Sequence, residues 1–169
     1  MSQVYKIKKN FLVPFMVAVA LLFVLLVLSL VSGQLWEQIL VGVLCVITLL
    51  IAVEAFEREF AVSENGLRIK KFFRKKSFVW AEITHLGVVV MRNKVYFLLT
   101  TTKGFYMLSN LLQNHTQLIR HLAEKLEEEK VEPEIKIYLE NPIERTSLIV
   151  LTWIALIIII AIILTKLIN

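Results

Sequence analysis

Three stretches of this chain, Phe11–Val31, Leu35–Phe56 and Leu148–Leu164, are apolar over the length that a hydrocarbon layer demands. About 20 apolar helical residues cross the roughly 30 Å interior of a bilayer. No water there satisfies a backbone N–H or C=O, so each stretch must be a helix. The first holds no ionisable residue. Its flank of Lys6, Lys8 and Lys9 resembles the basic start of a secretory signal. A signal core, however, runs only about 7–15 residues, and no small-residue cleavage pattern precedes Trp36. The segment therefore reads as a retained helix, ended by the Ser32-Gly33-Gln34 break. The second stretch places Trp36 at an interface and Glu37 and Glu54 near its ends, in reach of headgroups or water; Cys45 falls mid-membrane as a packing residue. Before the third, Asn141-Pro142-Ile143-Glu144 has the form of a helix start, with an Asn cap, Pro first and Glu third.

Charge orients these helices. The chain is 57% hydrophobic with a mean hydropathy of +0.72, and the apolar residues crowd towards its ends. Lys6, Lys8 and Lys9 precede the first helix, the next loop has no basic residue, the middle is rich in Lys and Arg, and only Lys166 follows the last helix. The positive-inside rule then expects a cytoplasmic N-terminus and central domain and an exoplasmic C-terminus. A single cysteine closes no intramolecular disulfide, so no oxidising compartment is implied. The expected organisation is a basic flank and two-helix hairpin over 1–56, a domain over 57–130, a linker over 131–146 and a last transmembrane helix over 147–169.

Between the helices the hydrophobic period changes to two, the signature of strands. Phe60–Ser63 and Leu67–Lys70 flank Asn65-Gly66, a strong hairpin signal. Phe72 to Lys76 reads as the next turn, returning through Ser77–Trp80. Strands are then expected over His85–Met91, Val95–Thr101 and Phe105–Leu108, joined by turns at Arg92-Asn93-Lys94 and Thr102-Lys103-Gly104. One amphipathic helix follows, with Asn114 and Gln117 as a capping box and Leu118, Leu122 and Leu126 as its apolar stripe. Glu127–Lys130 is its solvated end, and Val131–Leu139 alternates like an extended linker or an added strand. The fold class is thus mixed: three transmembrane α-helices plus one α+β domain of antiparallel β-sheets capped by a C-terminal helix.

Little in the chain points to catalysis. It has no aspartate, which removes the usual triad orienter and many Mg²⁺ sites. His85, His115 and His121 are scattered and have no cysteine partner for zinc, and no phosphate loop or nucleophile elbow occurs. No catalytic, metal or cofactor site is expected, and no small-molecule substrate. The informative feature is the cluster Lys70, Lys71, Arg74, Lys75 and Lys76, interleaved with Phe72 and Phe73. From Arg58 to Lys103, ten basic residues face three glutamates. Two readings stand: a solvated hairpin whose charge fixes topology and discourages edge pairing, or a contact surface for anionic headgroups or an acidic partner. Membrane tethering argues against nucleic acid.

The pattern Val62-Ser-Glu-Asn-Gly-Leu-Arg-Ile69, then Phe78-Val-Trp-Ala-Glu-Ile83, then Leu98 to Gly104 and the leucine helix, resembles the bacterial pleckstrin-homology-like domain family. The resemblance covers about Arg58 to Leu126, two-fifths of the chain. It implies a sheet-plus-helix module attached to membrane helices, and a bacterial inner-membrane location. Members mostly carry no assigned reaction, and some three-helix relatives are similar to accessory or assembly factors of membrane complexes. It also implies that the hairpin between the early strands contacts anionic phospholipid headgroups. The expected function is a non-enzymatic accessory, scaffold or assembly subunit whose partners are other integral membrane subunits. The alternative is a lipid-sensing or signalling module that reads anionic lipid through Lys70–Lys76.

Overall fold

The structure, a computed structural model, describes residues 3–71, 74–92 and 94–168. In chain order its elements are β1 (Gln3–Lys6), α1 (Lys9–Ser32), α2 (Leu35–Glu57), β2 (Glu59–Ser63), β3 (Gly66–Lys71) and β4 (Arg74–Val79). There follow β5 (Ile83–Met91), β6 (Lys94–Thr101), β7 (Gly104–Ser109), α3 (His115–Lys125), α4 (Pro133–Glu140) and α5 (Ser147–Ile168). Two units result, one built from residues 3–8 and 57–146, the other from 9–56 and 147–168.

In the helical unit α1, α2 and α5 are each long and apolar enough to cross a membrane. The inward stripe of α1, Ala18, Leu22 and Leu25, recurs at spacings of three and four and meets Leu156, Ile159 and Ile163 of α5, with Val41 and Cys45 of α2. The small side chain of Ala18 lets the α1 and α5 backbones approach, which favours packing where lipid is as apolar as leucine. Cys45 donates its thiol to the Leu22 carbonyl at 3.3 Å, a packing role. At the α1–α2 turn the Gly33 N–H donates to the Ser29 carbonyl at 2.8 Å. A Cβ on Gly33 would lie 2.6 Å from that same oxygen. Glu37 does not simply reach for water: its carboxylate takes Lys166 at 2.6 Å and the Ser29 hydroxyl at 3.2 Å, which ties the ends of all three helices together.

The other unit has two antiparallel sheets, ordered β1-β2-β3-β4 and β5-β6-β7. The Asn65-Gly66 turn forms as the sequence expects, with Ser63 opposite Gly66. Gly66 is required there, because its φ is +152° and a Cβ would fall 1.9 Å from the Phe78 carbonyl oxygen. Alternation then delivers the core: Phe60 and Val62 from β2, Leu67 and Ile69 from β3, Val95, Phe97 and Leu99 from β6. The corner between the sheets is a 3-10 turn, Trp80–Glu82, pinned by the Trp80 indole N–H on the Glu64 carbonyl at 2.8 Å and by Lys103 on Glu82 at 2.5 Å. The stripe Leu118, Ile119 and Leu122 of α3 is fully buried, with Leu126 just beyond it.

Several expectations are corrected. Residues 3–6 are no mere flank but a strand, β1, paired to β2 with Lys6 opposite Glu59. The reason is visible in Tyr5 and Ile7, both 5% exposed, while Lys6 points outward. Arg74–Lys76 belong to β4 and not to a turn; the hairpin tip at Phe72 and Phe73 lies outside the described residues, as does Asn93 of the β5–β6 turn. Asn114 precedes α3 at φ +53° with no side-chain capping bond, so the Asn114–Gln117 box does not form. Asparagine is one of the few residues that tolerates that left-handed backbone. Glu128–Lys130 form a separate 3-10 turn beyond the end of α3. Val131–Leu139 is extended only at its start, where Val131 makes one parallel bridge to Leu86. From Pro133 the chain is helical, because burial of Ile135 and Tyr138, three apart, overrides the two-residue alternation and leaves Ile137 exposed. Asn141–Glu144 is irregular and α5 begins at Ser147; the Ile143 carbonyl accepts instead from Asn110 Nδ2 at 2.9 Å and from the Tyr138 hydroxyl at 3.3 Å.

If β1 belongs to the sheet, Tyr5→Ala lowers the unfolding free energy of the full chain in detergent by roughly 3–5 kcal/mol, the cost of emptying a buried aromatic site. Lys6→Ala, one residue on and exposed, stays within about 1 kcal/mol of the parent. Equal, small effects at both positions would show that β1 is not part of the folded core.

Candidate functional site

Strand geometry divides the basic cluster. Side chains alternate across a pleat, and the register of the β3–β4 hairpin sets Ile69 opposite Lys76, Lys70 opposite Lys75 and Lys71 opposite Arg74. Lys71, Arg74 and Lys76 therefore share the face that carries the core residues Leu67, Ile69 and Phe78, whereas Lys70 and Lys75 project from the other. The five cations are two groups, not one patch, and the aromatic pair Phe72 and Phe73 lies outside the described residues.

Each group has its own electrostatics. On the outer face like charges stand directly opposite, which is destabilising in a sheet. Glu57 relieves this by pairing with Lys70 at 2.7 Å, both side chains about one-third exposed. Lys75 remains exposed. On the inner face Lys76 donates to the Tyr106 hydroxyl at 2.9 Å, its ammonium 5.3 Å from that ring's centroid, and the Tyr106 ring packs on Phe78 at 4.9 Å. Ile69, Lys71, Arg74, Lys76 and Tyr106 together line an open cleft of about 520 Å³. Such a surface offers several N–H donors above an apolar and aromatic floor, which suits a phosphate or carboxylate carried on a larger body. Glu57 and Tyr106 carry no sequence signal as members of this site; one sits at the end of a membrane segment, the other in a distant strand.

The three histidines lie apart, each with its own hydrogen-bond partner. His121 meets the Tyr5 hydroxyl at 2.8 Å and His115 the Tyr138 hydroxyl at 2.7 Å. His85 meets Glu132 at 2.9 Å, and that carboxylate also accepts the Val88 N–H at 3.0 Å. Those two bonds hold Glu132 below the usual carboxylate range. A Cβ on Gly87 would come within 2.7 Å of the same carboxylate, so glycine is what lets Glu132 lie along β5. Among the described residues no group of three His, Cys, Asp or Glu side chains is placed to hold a metal ion. No protein-family model, curated protein or solved structure matches the chain.

Burial and, after it, the charge of Lys8 push His115 below its ordinary value of 6.5. Burial and the charge of Glu144 push Tyr138 up to about 12. Both are therefore neutral at pH 7, with the imidazole Nε2 2.7 Å from the Tyr138 hydroxyl. An unfolded chain takes up a proton near pH 6.5 where the folded chain resists it, so this pair stabilises fully above pH 6.5 and progressively less below it. Thermal unfolding between pH 8 and pH 5 should show that loss, and His115→Gln should flatten it while costing on the order of 1–3 kcal/mol at pH 8. An undiminished slope in the variant would mean that His115 is not the responsible group.

Proposed function

We propose that this chain is a non-enzymatic accessory, scaffold or assembly subunit of a larger complex in the bacterial inner membrane. In this reading a pleckstrin-homology-like domain stands at the cytoplasmic surface and docks on a protein partner or on lipid headgroups. The carrying observation is the pairing of β1 with β2 around the α1–α2 hairpin. Chain segments before and after that hairpin belong to one sheet, so two crossings return the chain to the side it left and α5 takes it across again. The domain is thereby joined to the apolar helices at three points of the chain. Four strands in one sheet, three in the next and a helix after the last strand support the pleckstrin-homology-like reading. Lys and Arg bias supports the cytoplasmic side. Helices with apolar mid-membrane faces offer lateral packing surface and no aqueous path.

Purification of the tagged full chain from native membranes in mild detergent tests this directly. Membrane proteins co-migrating in fixed stoichiometry, seen by mass spectrometry, are the expected result. A chain that migrates alone at native expression level contradicts the accessory reading.

A second reading, a lipid-sensing or signalling module, is favoured by the exposed Arg74 and Lys75, which project from the two faces of the β3–β4 hairpin. Each basic side chain near an anionic surface contributes about 1 kcal/mol, and salt screens it. Hydrogen exchange of the full chain in phosphatidylglycerol nanodiscs, compared with phosphatidylcholine, should protect β3–β4 amides. The protection should fall with added salt and with Arg74→Glu plus Lys75→Glu. Identical exchange in both lipids would sink the hairpin–lipid contact.

A further inference from the structure

Among the described residues, Arg145 is the only arginine, lysine or glutamate that is buried, at 9% exposure. Its hydrogen-bond and ring partners are neutral. One Nη donates to the Ser109 hydroxyl at 3.0 Å and the guanidinium lies 5.8 Å from the Tyr96 ring centroid. Its Nε is fully buried and donates to nothing. Among the described residues no carboxylate pairs with it. A guanidinium stays charged at every pH a protein meets, and a buried charge without a counter-charge is strongly unfavourable. A fold that keeps one here is completed by an anion from outside.

The space for that anion is present. Arg145 lines a cleft of about 230 Å³ with Arg58 and Lys71, and with the hydroxyl-bearing Tyr96 and Ser109. Among the described residues no carboxylate lines it. The three cations converge from separate stretches of chain: the segment before α5, the residue before β2 and the end of β3. A drug-sized ligand needs roughly 300–1,000 Å³, so this cleft takes a phosphate group with the first atoms of its ester and not a nucleotide. Guanidinium forks and an ammonium match phosphate oxygens in charge and geometry. Covalent connectivity names the source. Arg58 follows the last residue of α2, and only Thr146 separates Arg145 from α5, so two of the three cations are tied to the ends of membrane-crossing helices.

The geometry points to a phosphate-group site formed by Arg58, Lys71 and Arg145 and filled by the phosphodiester of an anionic phospholipid headgroup. It goes beyond the hairpin contact, since Arg74, Lys75 and Lys76 take no part, and it needs no partner protein. Sequence alone could not separate Arg58 and Arg145 from ordinary topogenic charge.

The test uses the full chain, delipidated in neutral detergent and titrated separately with dihexanoyl-phosphatidylglycerol, dihexanoyl-phosphatidylcholine and inorganic phosphate. Thermal unfolding and native mass spectrometry are the readouts. Phosphatidylglycerol should raise Tm by several degrees and give a one-to-one adduct; phosphatidylcholine, whose ammonium the cations repel, should do so less. Arg145→Gln should weaken binding about tenfold or more, and Lys71→Gln, an exposed position that leaves folding intact, several-fold. Arg74→Gln and Lys75→Gln should bind as the parent does, which separates this site from the hairpin. If inorganic phosphate gives the whole shift and phosphatidylglycerol adds nothing, the lipid assignment is overturned in favour of free phosphate. If no probe binds, or if Lys71→Gln and Arg145→Gln both bind like the parent, the site itself is overturned.

Discussion

Pairing of Gln3–Lys6 with Glu59–Ser63 is the contact on which the rest of the molecule depends. It joins residues more than fifty positions apart in sequence, which in a flexible chain would carry a substantial loop-closure cost. Here the intervening chain is two apolar helices of nearly equal length, 24 and 23 residues. Both are long and apolar enough to cross a membrane, and two such helices in succession can return the chain to the side it left, which lowers the cost of that closure. Tyr5 and Ile7 then enter the core, and the Lys6–Glu59 pair at 3.7 Å sits across the strands outside it. An antiparallel sheet could not be completed this way if the first two helices ended on opposite sides.

That dependence explains which parts of the fold were legible in the residues. The membrane helices were, because hydrocarbon thickness sets a length that no soluble helix needs to match. Asn65-Gly66 was, because a positive φ leaves little choice of residue. β1 was not: a strand of four residues shows hardly two alternations, and its lysines serve topology equally well. The segment after Val131 misled because Ile135, Ile137 and Leu139 alternate, while the buried pair is Ile135 with Tyr138. Asn141–Glu144 has every local feature of a helix start, yet tertiary bonds from Asn110 and Tyr138 to the Ile143 carbonyl claim the backbone first.

The candidate sites show the same limit. A run of basic residues in sequence looks like one patch, but the two-residue period of a strand pair sends its members to opposite faces. Register, which one sequence reports only weakly, decides which cations act together. The converse holds for Arg58, Lys71 and Arg145, far apart in the chain and gathered by the fold into one cleft. Burial of an arginine without a carboxylate is a property of packing and leaves no trace in composition.

β1 and the β3–β4 hairpin belong to one sheet although α1 and α2 lie between them in the chain, so both must face the same compartment. Site-directed labelling in a Cys45→Ser background tests it most directly. Single cysteines placed by Gln3→Cys, Arg74→Cys and Leu167→Cys would be exposed to a membrane-impermeant maleimide in right-side-out and inverted vesicles. Gln3→Cys and Arg74→Cys should label from one side only, the same side, and Leu167→Cys from the other. Labelling of Gln3→Cys and Arg74→Cys from opposite sides would contradict it.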